Sequence, residues 1–163
     1  MKNYQKVLEQ NMIKNILKMR YTIMLRKLYV TSKAFGGKWE MVNGKKTLFS
    51  GNPILIGTLT ELEKNKYQFE YHTKSLPHGN IIGEFPDLTR IYTGKDVDNF
   101  IYRIIPREDN IYASAIMKTY KITEYDVWDL LVACATFGGH DEILLFENLP
   151  EGTHTELNHK VSR

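Results

Sequence analysis

The sequence predicts an α+β fold: a small, mainly antiparallel sheet, about three helices after it, and an extra amphipathic helix at the N terminus. Apolar residues recur at helical spacing over residues 2–20. Short β-branched and aromatic runs, separated by turn signals, occupy residues 28–85. Helical spacing returns after Pro86. We divide the chain into an N-terminal helix over residues 1–24, a domain over residues 25–147 and a polar C-terminal tail over residues 148–163.

The composition is that of an ordinary globular protein. Hydrophobic residues make up 42% of the chain, close to the globular average. The single cysteine, Cys134, allows no internal disulfide and fits a reducing compartment, so we expect a cytoplasmic location. No apolar run approaches the ~20 residues that cross a bilayer, so we expect no membrane span. Lys14 and Lys18 interrupt the apolar centre that a signal peptide would need.

Charge is distributed unevenly along the chain. Residues 1–27 contain seven Lys or Arg and one Glu, whereas the remainder contains 15 basic and 18 acidic residues. The N-terminal segment therefore predicts an amphipathic helix with a basic face, which is a candidate nucleic-acid contact. The candidate residues on this face are Lys2, Lys6, Lys14 and Lys18.

The apolar face of this N-terminal helix has to be covered by something, because amphipathic helices draw most of their stability from packing. Folding back onto the sheet is the default expectation. Contact with a partner protein, or with a second copy in a homodimer, is the next alternative, and DNA contact through the lysines is a further one.

The middle of the chain is rich in strand and turn signals. Asn43-Gly44 is a strong hairpin signal between two short strands. The segment YQFEY of residues 67–71 alternates aromatic and polar residues, as a half-buried strand does. We predict strands over residues 28–31, 38–42, 47–49, 54–60, 67–71 and 81–85, and a last strand over residues 142–146.

Three helices are predicted after Pro86. The first starts near Thr93 and ends before Pro106, because the residue before a proline resists the helical conformation. The third starts at the cap residue Thr123, with Asp126 three residues on. The expected apolar positions are Val97, Phe100, Ile101, Ile104 and Ile105 in the first helix, Ile111, Ala115, Ile116 and Met117 in the second, and Val127, Leu130, Leu131 and Cys134 in the third.

The sequence contains no pattern that indicates catalysis. None of the five histidines has a helical partner and nearby acid at the spacing of a zinc site. No glycine-rich phosphate loop follows a strand, and no serine lies in a nucleophile elbow. We interpret Gly138-Gly139-His140 as a turn into the last strand rather than as a site. We therefore expect no enzyme activity, no metal and no cofactor.

Several segments match a known pattern in their order and spacing. Ile54-Leu-Ile-Gly-Thr-Leu-Thr60 is similar to a strand ending in V-G-x-L, and Tyr67-Gln-Phe-Glu-Tyr71 to an F-x-Y strand. The region around Pro86 is similar to a segment rich in leucine and proline. Asp126-Val-Trp-Asp-Leu-Leu131 is similar to a helix with the pattern F-D-L-L. A helix of the form F-F-x-x-L-L-P-E-G has its counterparts in Phe100, Ile104, Ile105, Pro106, Glu108 and Asp109. A turn into a last strand has its counterpart in Phe137-Gly-Gly-His-Asp-Glu-Ile-Leu-Leu145.

Together these segments, over about 120 residues, resemble the N-terminal subdomain of HipA-type proteins, which are kinases of bacterial toxin–antitoxin systems. There are departures from the family pattern. Residues 1–24 have no counterpart, residues 33–50 form an extra hairpin, and the family's Pro-Glu-Gly is Pro-Arg-Glu-Asp here. The kinase motifs of the later subdomains are absent, so we expect no phosphate transfer by that machinery.

The resemblance implies a HipS-like antitoxin, a subdomain that stands alone and binds a separate HipT-type kinase, with a HipB-like DNA-binding protein as a further partner. In such systems the loop after the helix-ending proline faces the kinase, and an aromatic residue from it obstructs the active site. The residues that the resemblance implies for partner binding are Pro106, Arg107, Glu108, Asp109, Asn110 and Tyr112.

The same residues allow a purely structural interpretation. Glu108, Asp109 and Asn110 are residue types that helix N termini favour, so they could only cap the next helix. Tyr112 could pack inward. The alternative function is a nucleic-acid-binding or defence-inhibiting accessory protein that uses the basic N-terminal helix, and an enzyme is a third, weaker alternative.

Overall fold

The structure is a computed structural model that describes residues 2–23, 25–33, 38–49, 51–134 and 143–155. Four helices, two sheets and one short 3₁₀ turn at His78–Asn80 make up this part of the chain. The helices are α1 (Lys2–Ile23), α2 (Lys95–Ile104), α3 (Ile111–Thr119) and α4 (Val127–Cys134). The strands are β1 (Lys27–Ser32), β2 (Lys38–Val42), β3 (Lys45–Phe49), β4 (Leu55–Glu63), β5 (Lys66–Tyr71), β6 (Tyr92–Thr93) and β7 (Ile143–Phe146).

The main sheet has five strands in the order β6-β5-β4-β1-β7, and every neighbouring pair is antiparallel. The prediction of an α+β fold with a mainly antiparallel sheet, three later helices and an extra N-terminal helix is confirmed. Gly57 lies in the central strand β4 because a Cβ there would meet the Glu70 carbonyl oxygen at 2.5 Å and the Phe69 ring at 2.6 Å. Its bare backbone lets β5 and the Phe69 ring pack closely on β4.

The predicted hairpin forms a separate two-stranded sheet from β2 and β3. Asn43 and Gly44 both have positive φ, as a two-residue turn of type I′ requires. One face of the hairpin buries Val42 and Phe49 in the core. The opposite face leaves Trp39, Met41 and Leu48 exposed, with the Lys46 ammonium 5.5 Å from the Trp39 ring centroid.

The core lies between the main sheet and helices α2 and α4. Phe85 is its aromatic centre: its ring stacks on Phe69 with centroids 4.4 Å apart, and lies 5.2 Å from Phe100 of α2 and 4.8 Å from Tyr92 of β6. Aromatic pairs at these distances stabilise a core beyond the area that they bury.

The predicted strand over residues 81–85 is wrong, since this segment is a turn. The Phe85 N–H donates to the Ile82 carbonyl, 2.9 Å away. The buried Tyr71 hydroxyl accepts from the Ile82 N–H at 3.0 Å and donates to the Phe85 carbonyl at 2.5 Å. The Tyr71 side chain therefore satisfies the backbone groups that a neighbouring strand would have paired. The prediction of a strand rested on the apolar residues of this segment, of which Ile82 and Phe85 are buried in the turn.

The predicted cap of the third helix, Thr123, is also wrong. Helix α4 begins at Val127, and the Asp126 carboxylate accepts the Asp129 N–H at 3.0 Å, which is the bond of an N-cap residue. The burial expected for this helix is confirmed, since Val127, Leu130, Leu131 and Cys134 are all buried.

The C-terminal segment is described as far as Thr155, and this part lies on the domain. The His154 N–H donates to the Pro53 carbonyl at 2.8 Å, and the His154 carbonyl accepts from the Leu55 N–H at 2.9 Å. The His154 ring meets the edge of Phe49. Residues 148–155 therefore bridge the hairpin and β4. The predicted glycine turn over residues 137–140 and the rest of the tail lie outside the described residues.

Candidate protein-docking corner

We use the name docking corner for Pro106 to Tyr112, the segment that joins α2 to α3. Helix α2 ends at Ile104, and Ile105 is extended, as expected for a residue that precedes a proline. Ile105 is buried, whereas residues 107–112 are exposed. The chain thus passes from the core to the surface within two residues.

The start of the docking corner is fixed to the body of the domain from two sides. The Tyr125 hydroxyl donates to the Pro106 carbonyl at 2.8 Å. Burial raises the pKa of Tyr125 to about 12, with a further contribution from Tyr102 and Glu108, so the hydroxyl keeps its proton at neutral pH. The Arg107 guanidinium lies 4.1 Å from the Tyr102 ring centroid, which is cation–π geometry.

The end of the docking corner is organised by Asn110, the N-cap residue of α3. Its side-chain oxygen accepts the Tyr112 N–H at 2.9 Å, and its own N–H donates to the Arg107 carbonyl at 3.0 Å. The capping interpretation is therefore correct for Asn110. Glu108 and Asp109 are exposed just before the helix, where the positive end of the helix dipole favours carboxylates.

The first turn of α3 presents two large apolar side chains to solvent. Ile111 is 79% exposed and Tyr112 is 67% exposed, and Ala113 is the buried residue of this helix. The alternative in which Tyr112 packs inward is wrong. An exposed apolar pair beside charged residues is typical of a protein-interaction surface.

Ile111 belongs to this surface although it was not among the predicted partner-binding residues. The prediction placed it with Ala115, Ile116 and Met117 on the apolar side of the helix. Ile116 and Met117 do pack against the core, while Ile111 lies on the outer side. The spacing of Ala113, Ile116 and Met117, which places them on one side of a helix, was the sequence signal that could have assigned the inner face.

An apolar groove of about 420 Å³ lies beside α3, with lining residues from α2, α3 and α4. It is lined by Ile104, Ala115, Ile116, Thr119, Tyr120 and Cys134. Burial raises the pKa of the Cys134 thiol, so this residue acts as a small hydrophobe, as expected.

Two of the four predicted basic residues, Lys6 and Lys14, have described side chains, and they lie on α1 rather than at the docking corner. The described side chains of α1, residues 3–17, are all exposed, and they include Lys6 and Lys14. The side chains of Lys2 and Lys18 lie outside the described residues. The default expectation that α1 folds back onto the sheet is wrong for residues 3–17, because packing there would bury the apolar side chains of the helix.

In the described part of the chain, no three His, Cys, Asp or Glu side chains lie close enough together to hold a metal ion. His140 lies outside this part.

None of the helices that the structure describes combines the length and the apolar character needed to span a membrane.

Comparison with known proteins gives no match: no family model, no curated protein and no solved structure is similar to this chain.

Proposed function

We propose that this chain is a non-catalytic regulatory module that binds a HipA- or HipT-type Ser/Thr kinase core through the docking corner and inhibits it. The observation that supports a docking function is the exposed pair Ile111 and Tyr112 on the first turn of α3. Tyrosine is enriched among the residues that dominate binding energy at protein interfaces.

The corner is preorganised for such a contact. Asn110 fixes the start of α3, Tyr125 holds the Pro106 carbonyl, and the Arg107 side chain rests on the Tyr102 ring. A segment held in this way loses little conformational entropy when a partner binds. The exposed Glu108 and Asp109 add negative charge, which favours a partner with a basic surface and speeds the encounter.

The kinase as partner follows from the resemblance of the segment order to HipA-type proteins. In that pattern the loop after the helix-ending proline faces the kinase, and here that loop is the docking corner. Tyr112 is its aromatic residue, and its exposure is what a group that enters a kinase active site needs.

The test is a tagged pull-down from the source cell with three versions of the chain, followed by titration of the recovered kinase. The wild type should recover a HipA-type kinase core in stoichiometric amount and reduce its phosphorylation of substrate. The variant Asp109→Ala/Tyr112→Ala should weaken binding by a few kcal/mol, as truncation of interface anchors does. The control Ile91→Ala removes an exposed apolar side chain elsewhere and should bind as the wild type does. Recovery of no kinase, or equal binding by the double variant, would contradict the proposal.

A second candidate function is nucleic-acid binding through α1, which the exposure of Lys6 and Lys14 favours. It requires DNA affinity that falls steeply with salt and is lost when residues 1–24 are removed. The variant Lys6→Gln/Lys14→Gln should lower both the affinity and the salt dependence, and unchanged affinity would remove α1 from the contact.

A further inference from the structure

The β2–β3 hairpin has an apolar patch on its solvent face. We define the hairpin patch as Trp39, Met41 and Leu48, which are 44%, 54% and 50% exposed. Trp39 lies directly opposite Leu48 in the strand pairing, and Met41 is two residues from Trp39, so the three side chains adjoin one another on one face. Exposed apolar side chains that adjoin one another, unlike single scattered ones, indicate an interaction site.

The hairpin patch has a rigid support. The inner face of the hairpin buries Val42 and Phe49 in the core. At the turn, the Asn43 side-chain amide donates to the Ser75 hydroxyl, which ties the hairpin to the loop that follows β5. The patch therefore keeps its shape without a partner, and little conformational entropy is lost when it binds one.

The charges beside the hairpin patch are positive. The hairpin contains three lysines and a single acid, Glu40. Lys46 pairs with Met41 and is exposed on the face of the patch, and Lys45 is exposed next to the turn. Glu40 pairs with the buried Thr47 and so lies on the core-facing side of the hairpin. The patch is therefore complementary to a surface that combines apolar groups with negative charge.

The solvent face of the hairpin is too small to form a standard protein interface by itself. Two strands of five residues make a face about 17 Å long and roughly 10 Å wide. A stable protein–protein interface buries ~800 Å² on each partner, which is several times this area. A lipid bilayer needs no complementary shape, because its binding strength rises with the buried apolar area and with the attraction between lysines and anionic lipids.

The residue types of the hairpin patch fit a bilayer surface better than a nucleic acid. Tryptophan is enriched at the boundary between membrane and water, where one end of the ring is apolar and the N–H reaches water. The Lys46 ammonium lies over the Trp39 ring, 5.5 Å from its centroid, so a positive charge accompanies the indole. That ammonium occupies a ring face on which a base would stack, and the other two patch residues, Met41 and Leu48, are not aromatic.

We propose that the hairpin patch binds the surface of an anionic lipid bilayer, with Trp39, Met41 and Leu48 in the interfacial region and with Lys45 and Lys46 at the lipid phosphates. This is a peripheral contact and uses no membrane-spanning helix. The docking corner belongs to other elements and takes no part in it. The membrane contact therefore goes beyond the proposed function, and it is tested without a kinase.

Flotation of the full chain with lipid vesicles tests the binding. The wild type should float with vesicles of equal parts phosphatidylcholine and phosphatidylserine, and less of it should float when salt is added. Leu48→Gln removes an apolar side chain from the patch and should lower the partition coefficient by about fivefold or more. The matched control Ile91→Gln makes the same replacement at a position that is 52% exposed outside the hairpin, and it should float as the wild type does. A wild type that stays in solution, or equal losses in the two variants, would overturn the proposal.

The contribution of charge is tested in the same assay. Lys46→Gln should lower the partition coefficient by about fivefold, because one lysine fewer approaches the anionic lipids. Lys118→Gln removes the same charge from an exposed position on α3 and should have a smaller effect. Equal flotation with vesicles of phosphatidylcholine alone would show that negative charge is not recognised, and it would overturn the anionic bilayer as the partner.

A nitroxide label identifies which surface meets the lipid. Met41→Cys and Ile91→Cys are each labelled in the full chain, while the native Cys134 is buried and is left in place. Circular dichroism checks that both variants fold, and the labelled wild type gives the background. On addition of the anionic vesicles, the label at position 41 should become less accessible to a water-soluble paramagnetic reagent and more accessible to oxygen, whereas the label at position 91 should not change. Protection of position 91 alone would overturn the proposal, and so would protection of position 41 by a single-stranded oligonucleotide but not by vesicles.

Discussion

Helices α1 and α2 both have apolar residues at helical spacing, but those of α2 are buried in the core and those described in α1 are exposed. Helix α2 buries Val97, Phe100 and Ile101 in the core, and a single residue, Gly94, separates it from strand β6. Helix α1 is more than twice as long, and its described side chains are exposed. Helical spacing of apolar residues therefore predicts that a helix forms and which residues share a face, but it does not decide whether the rest of the chain covers that face.

The largest expected effect is a difference between the two helices in how much an apolar side chain contributes to the free energy of unfolding. Phe100→Ala should lower the free energy of unfolding by about 3–5 kcal/mol, because it opens a cavity beside Phe69 and Phe85. Leu8→Ala should change it by less than about 0.5 kcal/mol, because Leu8 is exposed on α1. Urea unfolding measures both values. Equal losses would mean that α1 is packed in the monomer, and the contrast between the helices would disappear.

A smaller effect is expected from the hydrogen bonds of the Tyr71 hydroxyl, which stabilise the turn containing Phe85. Tyr71→Phe should lower the free energy of unfolding by about 1–3 kcal/mol, because the Ile82 N–H and the Phe85 carbonyl lose their buried partner. Tyr4→Phe, on the exposed α1, is the control and should have no measurable effect. If both variants unfold at the same urea concentration, the Tyr71 hydroxyl does not stabilise the turn.

The docking corner is a third exposed apolar region, and unlike α1 it is fixed by a cap. Asn110→Ala should lower the free energy of unfolding by about 1 kcal/mol, since the Tyr112 N–H loses its acceptor. Amide hydrogen exchange should become faster in the first turn of α3 and stay unchanged in α2. Protection that is the same in both forms would show that the cap does not order the corner.

The smallest effect is a loss of stability at alkaline pH. Burial raises the pKa of both Tyr71 and Tyr125 to about 12, from an ordinary value of 10.0. The unfolded chain therefore releases these protons first, so stability is complete below about pH 10 and falls as the pH rises toward 12. Up to about pH 10.5 the loss should stay below about 1 kcal/mol for each tyrosine, because this pH is only about half a unit above the ordinary pKa of 10.0. Urea midpoints of the wild type and Tyr125→Phe measure it, and parallel pH profiles would contradict it.

Local signals in the sequence predicted much of the fold. Asn43-Gly44 specified the hairpin, and Pro106 specified the end of α2, because each restricts the backbone by itself. The wrong predictions arose where one sequence pattern is compatible with two local structures. Ile82 and Phe85 are buried in a turn closed by Tyr71, and either Thr123 or Asp126 could have capped α4.

The candidate site was predicted in part. The proline and the polar residues after it drew attention to the corner, the resemblance implied its partner-binding residues, and the structure shows that Tyr112 is exposed rather than packed inward. Ile111 was missed because an apolar residue at helical spacing is ordinarily assigned to the core. An open cleft beside α4 combines residues of α4 with Lys64 and Glu147, and such a combination exists only after the chain has folded.

The chain has two tryptophans, and they lie in contrasting surroundings. Trp39 is 44% exposed on the outer face of the β2–β3 hairpin, whereas Trp128 is 8% exposed beneath the Arg26 guanidinium. Their emission should differ in wavelength and in quenching by acrylamide, because one indole is in water and the other is shielded. Trp39→Phe therefore leaves a single tryptophan, Trp128, on α4, and Trp128→Phe leaves a single tryptophan, Trp39, on the hairpin. The two tryptophans can therefore report separately on the hairpin and on α4 without any added label.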